Sequence, residues 1–177
     1  MQDERFNVII NVSAEVISKV LIITLFDFEI FEYRFLCTLV SKITIMKLIP
    51  YLNFPGYTEE VMNTYAKIFD GNVHDVGRFG DTNPELPEDQ KNRIMHGRLT
   101  FGDNMLMFSD GMPGRPITNG DNIQLSIGMN DEAHARSVFD QLAEGGTVKM
   151  PMAKQFWGAI FGMVTDKYGI HWMINCE

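Results

Sequence analysis

The chain has little cysteine: Cys37 and Cys176 are the whole supply in 177 residues, and no CxxC pair occurs. That argues against a disulfide scaffold and a structural zinc site, and it fits a reducing compartment, so a cytoplasmic location is expected. Basic charge is also short. The 15 Lys and Arg are outnumbered by 23 Asp and Glu, for a formal net charge of −8, and no basic stripe is visible. Phosphate backbones need a basic surface, so no nucleic-acid partner is expected. Glycine-rich strings such as GDN and DGMPGRP are present, but neither GxGxxG nor GxxxxGK[ST] is, and no nucleotide loop is indicated. The four histidines, His74, His96, His134 and His171, show no HxH or HxxxH spacing. They form no metal box in the sequence. No Ser, Cys or Lys has a partner within its own motif that would mark a nucleophile.

Residues 1–45 lack both glycine and proline and are rich in Ile, Val, Phe and Leu. They still do not read as a membrane span. Glu15, Lys19, Asp27, Glu29, Glu32 and Arg34 interrupt the stretch, and no uncharged run approaches the roughly 18–20 residues that a span requires. The opening MQDER is not a basic n-region, and no small-residue cleavage site follows. No membrane partner is expected. Three readings of this extension stay open: an extra element packed on the domain, a weak membrane- or partner-binding segment, or translated sequence upstream of a true start at Met46. The last is preferred, because a complete domain begins at MKLIPYLNF.

From Met46 onward an internal repeat is legible. Lys47–Phe54 reads as a strand. Thr58–Gly71 reads as a helix, with Thr58 as cap, Glu59 and Glu60 in its first turn and Gly71 at its end. Val61, Met62, Tyr65, Ile68 and Phe69 form its apolar face at helical spacing. A strand near Val73–Phe79 follows, then a hairpin, MHGRLTFGDNMLMFSD, turning at Gly102–Asn104. The second half has the same order. Asn122–Met129 reads as a strand, and Asn130–Gly146 as a helix capped by Asn130 or Asp131, with Ala135, Val138, Phe139 and Leu142 as its stripe. Thr147–Met152 reads as a short strand, and a last hairpin turns at Asp166–Gly169. The expected class is α+β, with two βαβββ modules at 46–110 and 121–177 in a domain spanning 46–177. Gly80–Asn92 reads as a long acidic loop, and Ser109–Asn122 as a long Gly- and Pro-rich linker joining the two modules.

The stretches PYLNF, EEVMNTYAKIF, IMHGRLTFGDNMLMFSD and FWGAIFGMVTDKYGIHWMINCE resemble the PhnB-like proteins of the vicinal oxygen chelate superfamily, which includes glyoxalase I, bleomycin-resistance proteins and extradiol dioxygenases. The resemblance covers about Met46 to Glu177. It implies a U-shaped mixed sheet around a cleft, in a homodimer. In metal enzymes of that superfamily, four positions on the inner sheet face carry His, Glu or Gln ligands. The corresponding positions here fall at Pro50 or Ile49, near Met107 or Phe108, near Gln124, and at Met173. Hard divalent ions select imidazole and carboxylate, not this set. No metal and no cofactor is therefore expected.

Strand alternation marks further candidates. Tyr51 and Asn53 alternate with Pro50, Leu52 and Phe54, so the polar pair is expected to face the cleft. In the closing strand, Ile170, Trp172 and Ile174 take one face, while His171, Met173 and Asn175 take the other. His96 opens the first hairpin, and Trp157 lies with Phe156 in KQFWGAIFG. The first half thus offers Tyr51, Asn53, His96 and Met107 as cleft lining, and the second offers Gln124, Trp157, His171 and Met173. Twelve methionines fit an adaptable apolar lining. The expected function is binding of a small apolar or aromatic molecule in a metal-free cleft, with catalysis left open. A metal-dependent glyoxalase-type lyase or dioxygenase is the alternative, and a structural protein with a filled cleft is the second.

Overall fold

In the computed structural model, residues 46–177 are described; the extension discussed above lies outside them. The first module consists of β1 (Tyr51–Asn53), α1 (Thr58–Ile68), β2 (Asn72–Arg78), two single-turn helices α2 (Phe79–Thr82) and α3 (Glu88–Lys91), β3 (Ile94–Phe101) and β4 (Asn104–Ser109). The second consists of β5 (Leu125–Met129), α4 (Glu132–Ala143), β6 (Thr147–Lys154), β7 (Ile160–Thr165) and β8 (His171–Cys176). Each module folds into a four-stranded mixed sheet, ordered β1-β4-β3-β2 and β5-β8-β7-β6. The repeat extends to pairing: β1 runs parallel to β4 and β5 parallel to β8, while the remaining neighbours are antiparallel. The α+β, two-module architecture is as expected. Among the described residues, no helix is long and apolar enough to cross a membrane.

Two local expectations need correction. Thr58 is not the cap of α1; it is the first helical residue, and the cap position, Tyr57, makes no side-chain cap bond. The start of the helix is satisfied from the far end of the module. Asp110 Oδ1 accepts the N–H groups of Gly56 and Thr58, both at 3.0 Å, and its Oδ2 accepts that of Ile94 at 2.6 Å. A buried carboxylate beyond β4 thus does the work usually assigned to a local cap. The Gly80–Asn92 loop, in turn, contains α2 and α3. At the other helix the expectation stands: Asp131 caps α4 by accepting the His134 N–H at 3.0 Å.

Strand β6 runs two residues further than its sequence suggests, through Pro151. It is an outer strand, and its register slips between Met150 and Ala153. An edge with a bulge is where a residue without an N–H is tolerated.

The apolar faces of both helices and of both sheets feed one core. Val61, Met62, Tyr65 and Ile68 of α1 and Ala135, Val138, Phe139 and Leu142 of α4 are buried, as their spacing implies. Leu99, Leu106 and Phe108 come from the first sheet, and Val164, Trp172, Ile174 and Cys176 from the second. The helix-bearing faces of the two sheets therefore meet. Trp172 on β8 packs perpendicular to Tyr65 on α1, with ring centroids 5.4 Å apart, and lies 5.4 Å from Phe69. Fully burying side chains of this kind contributes about 1.5–3 kcal/mol each.

The join between modules also has a polar centre. Asp166, in the β7–β8 turn, is buried. Its Oδ2 accepts the Tyr65 hydroxyl and, at 2.8 Å, the Trp172 indole N–H. Its Oδ1 accepts the backbone N–H groups of Tyr168 and Ile170 at 2.9 and 3.0 Å. Tyr168 adds a second tie, with its hydroxyl 2.9 Å from Thr64 Oγ1 and donating to Glu60 at 2.8 Å.

Asp166→Ala would leave four donors in or near the core without an acceptor, and is expected to cost about 3–5 kcal/mol in chemical denaturation. Asp166→Asn, which keeps acceptor capacity, should cost less. A pH effect follows from the same site. Burial, then the neighbouring Asp166 carboxylate, pushes the Tyr65 hydroxyl well above the usual phenol range. Its folded value is raised, so its stabilisation is complete below the unfolded value, about 10, and is lost as the pH rises beyond that. Denaturation curves should therefore show stability falling above about pH 10, with a shallower fall in Tyr65→Phe.

Candidate functional site

With the helix-bearing faces turned inward, each sheet presents its other face away from the core. Strand register defines what stands there. On the first sheet, Tyr51 lies opposite Met107, Met107 opposite Arg98, and Arg98 opposite His74. These four residues form one row across β1, β4, β3 and β2. On the second sheet, Ser126 lies opposite Met173, Met173 opposite Met163, and Met163 opposite Met150. The corresponding row crosses β5, β8, β7 and β6.

The residues expected to line one cleft divide between these faces. Tyr51, Asn53, His96 and Met107 belong to the first. Tyr51 and Asn53 are exposed, and Leu52 between them packs on the core. The Tyr51 hydroxyl is hydrogen-bonded to His96 Nδ1 at 3.2 Å, reaching from β1 over β4 to β3. His171, Met173 and Trp157 belong to the second face. The burial of β8 alternates as its sequence implies: Trp172 and Ile174 are buried, and His171, Met173 and Asn175 are half-buried. His171 Nδ1 shares a hydrogen bond of 2.8 Å with Thr165 Oγ1 of β7. Trp157 sits in the β6–β7 turn with its ring 5.9 Å from that of Phe161, while Phe156 beside it is 97% exposed. Gln124 is exposed, one residue ahead of β5. Within one chain, no hydrogen bond or ring contact joins the first group to the second.

Several residues on these faces escaped sequence reasoning. Arg98 and Thr100 alternate with His96 along β3, so the string HGRLT carried the signal for them. His74 on β2 stands in the first row beside Arg98. Arg98 Nη1 donates to Asp75 Oδ2 at 3.0 Å, and His74 Nδ1 lies 3.1 Å from the same oxygen. Asp75 has a left-handed backbone, φ 52°, where β2 bulges away from β3. Only pairing could reveal that contact. On the second sheet Met163, Thr165 and Phe161 are half-buried on the open side, continuing the alternation of FGMVT.

The metal positions implied by the superfamily can be tested on this donor set. Met107 and Met173 stand on different sheets, Gln124 is outside its strand, and Phe108 is in the core. Pro50 and Ile49 carry no donor side chain. Among the described residues, no group of three or more His, Cys, Asp or Glu side chains is disposed to hold an ion. The donors at these positions are thioethers and one amide, which do not fit a hard divalent metal.

Relatives of the chain are consistent with this architecture. A structure of protein PA1353 from Pseudomonas aeruginosa is 39% identical, with 75% of this chain and 98% of that one covered and a TM-score of 0.68. The PhnB protein from Bacillus cereus is 26% identical over 75% of this chain and 100% of its own, with a TM-score of 0.64. Protein YjdN of Escherichia coli (strain K12) is 29% identical over 141 residues, 73% of this chain and 95% of that protein. The family model described as 3-demethylubiquinone-9 3-methyltransferase matches residues 46–175. The chain belongs to that family, to which its PhnB relative from Bacillus cereus also points.

Proposed function

We propose that this protein is a cytoplasmic, metal-independent small-molecule binder that works as a homodimer. The ligand would lie between the open face of the first sheet in one copy and that of the second sheet in the other. The observation that carries the reading is the composition of those faces. A mixed or antiparallel sheet with one solvated side normally turns charge outward. Here the second face shows Met150, Met163 and Met173 in one row, with Phe161 and Trp157 beside it. The first shows Tyr51, Met107 and His96, with Arg98 as the charged member of the row. Adaptable thioethers and aromatic rings with a few polar groups suit an apolar or aromatic ligand. A second copy also accounts for how eight residues on two outward faces could serve one cleft.

The donor set argues against a Lewis-acid role at the superfamily's usual positions. The methyl-transfer activity in the family's description draws little support either, because no Gly-rich βα turn of the S-adenosylmethionine-binding kind is visible in this chain.

Mixed dimers test the proposal. Tyr51→Ala alters the first face and Met173→Arg the second. Each homodimer should lose Nile red fluorescence enhancement. A heterodimer of the two variants would carry one doubly altered and one intact cleft, and should regain about half the wild-type signal. A monomer by light scattering, or no recovery on mixing, would refute the shared cleft. Elemental analysis should find no stoichiometric Ni, Zn, Fe or Mn, and adding these ions should leave Nile red binding unchanged.

A further inference from the structure

Strand pairing lines up three thioethers on the open face of the second sheet. Met150 lies opposite Met163, and Met163 opposite Met173, on the adjacent strands β6, β7 and β8. Met163 and Met173 alternate with the buried Gly162, Val164, Trp172 and Ile174, so they point away from the core. Direct cross-strand partners stand about 5 Å apart, and two strand spacings, about 10 Å, separate the outer backbones. Unbranched side chains with three rotatable bonds can converge over such a span without moving the sheet. All three are open to solvent: Met150 is 38% exposed, and Met163 and Met173 are half-buried.

The surroundings of the row are suited to a soft ion. It ends at Ser126 on β5 and holds no carboxylate. Thioether donors discriminate against hard divalent ions and select Cu(I). His171 stands on the same side of β8, two residues before Met173, and is half-buried. Its Nδ1 is engaged by Thr165 Oγ1 at 2.8 Å, and its Nε2 makes no hydrogen bond among the described residues. An imidazole fixed through one nitrogen in this way offers the other to a metal. The set is distinct from the superfamily positions tested above. Those draw Met107 from the first sheet, whereas Met150, Met163 and Met173 share one sheet.

We infer that Met150, Met163 and Met173 form a binding site for a soft monovalent metal ion of the Cu(I) class, with His171 Nε2 as the nitrogen donor beside them. The site lies within one copy. It needs neither the partner nor the apolar ligand proposed above, and that ligand needs no metal.

Silver nitrate is the probe, because Ag(I) shares the softness of Cu(I) and keeps its oxidation state. The full-length protein with Cys37→Ser, which removes a competing thiol, would be isotopically labelled at its methionine methyl groups. It would be titrated in chloride-free buffer and followed by NMR. The methyl resonances of Met150, Met163 and Met173 should shift together and saturate at one ion per chain, and the His171 imidazole should shift with them. Met112, which is 60% exposed and outside the row, should stay in place over that range. Zn(II) should move none of the three methyl groups. Met163→Leu, which removes the central sulfur but keeps an apolar side chain, should weaken Ag(I) binding about tenfold or more. Its unliganded melting temperature would show that it folds. Equal shifts at Met112 and the row, or unchanged affinity in Met163→Leu, would overturn the site. A silent His171 would remove the imidazole from the donor set. Nile red binding to the metal-free protein tests the apolar cleft separately, so failure of Ag(I) binding would leave that reading standing.

Discussion

The four hydrogen bonds at Asp166 are the constraint on which the arrangement of the modules depends. A carboxylate in a buried turn must be given donors, and this one draws them from both halves: a hydroxyl from α1, an indole from β8, and two amides from its own turn. The apolar contacts around it are not directional. They would tolerate a sliding of Tyr65 and Phe69 over Trp172. The carboxylate does not, because each donor has a required distance and angle. It thereby fixes which faces of the two sheets meet, and so which faces remain open.

That choice of faces decides what the surface presents. Once the helix-bearing sides are committed to the core, eight strands are left with half-covered outer surfaces. Those surfaces carry His96 bonded to Tyr51, His171 bonded to Thr165, and methionines in cross-strand register. The imidazoles are oriented by neighbours on the same sheet, so each face comes with its polar groups already positioned. Preorganisation of this kind reduces the ordering cost of binding.

Much of the fold could be read from residues in local order. The helical stripes of α1 and α4, the turn at Asp166–Gly169 and the alternation of HWMINC all depend on neighbours a few positions apart. The failures involve distance along the chain. Asp110 satisfies the start of α1 from more than fifty residues away, so Thr58 looked like the cap because it was the nearest hydroxyl. The division of the candidate site between two faces depends on how the modules dock, which Tyr65 and Asp166 decide from opposite halves. Arg98, by contrast, is legible in local order, because HGRLT alternates plainly enough to put it beside His96.

The bulges in β2 and β6 have a consequence beyond local geometry. Each lies on the outer strand of its sheet, one at Asp75 and the other at Met150–Ala153, where Pro151 also removes a donor. A growing β-aggregate needs a straight edge with every N–H and C=O in register. Both sheets interrupt that template on the same side of the repeat. Their opposite margins are the three residues of β1 and the five of β5. The protein thus has a directional grain: the far edges reject further strands, and extension of either sheet is confined to the short parallel margins.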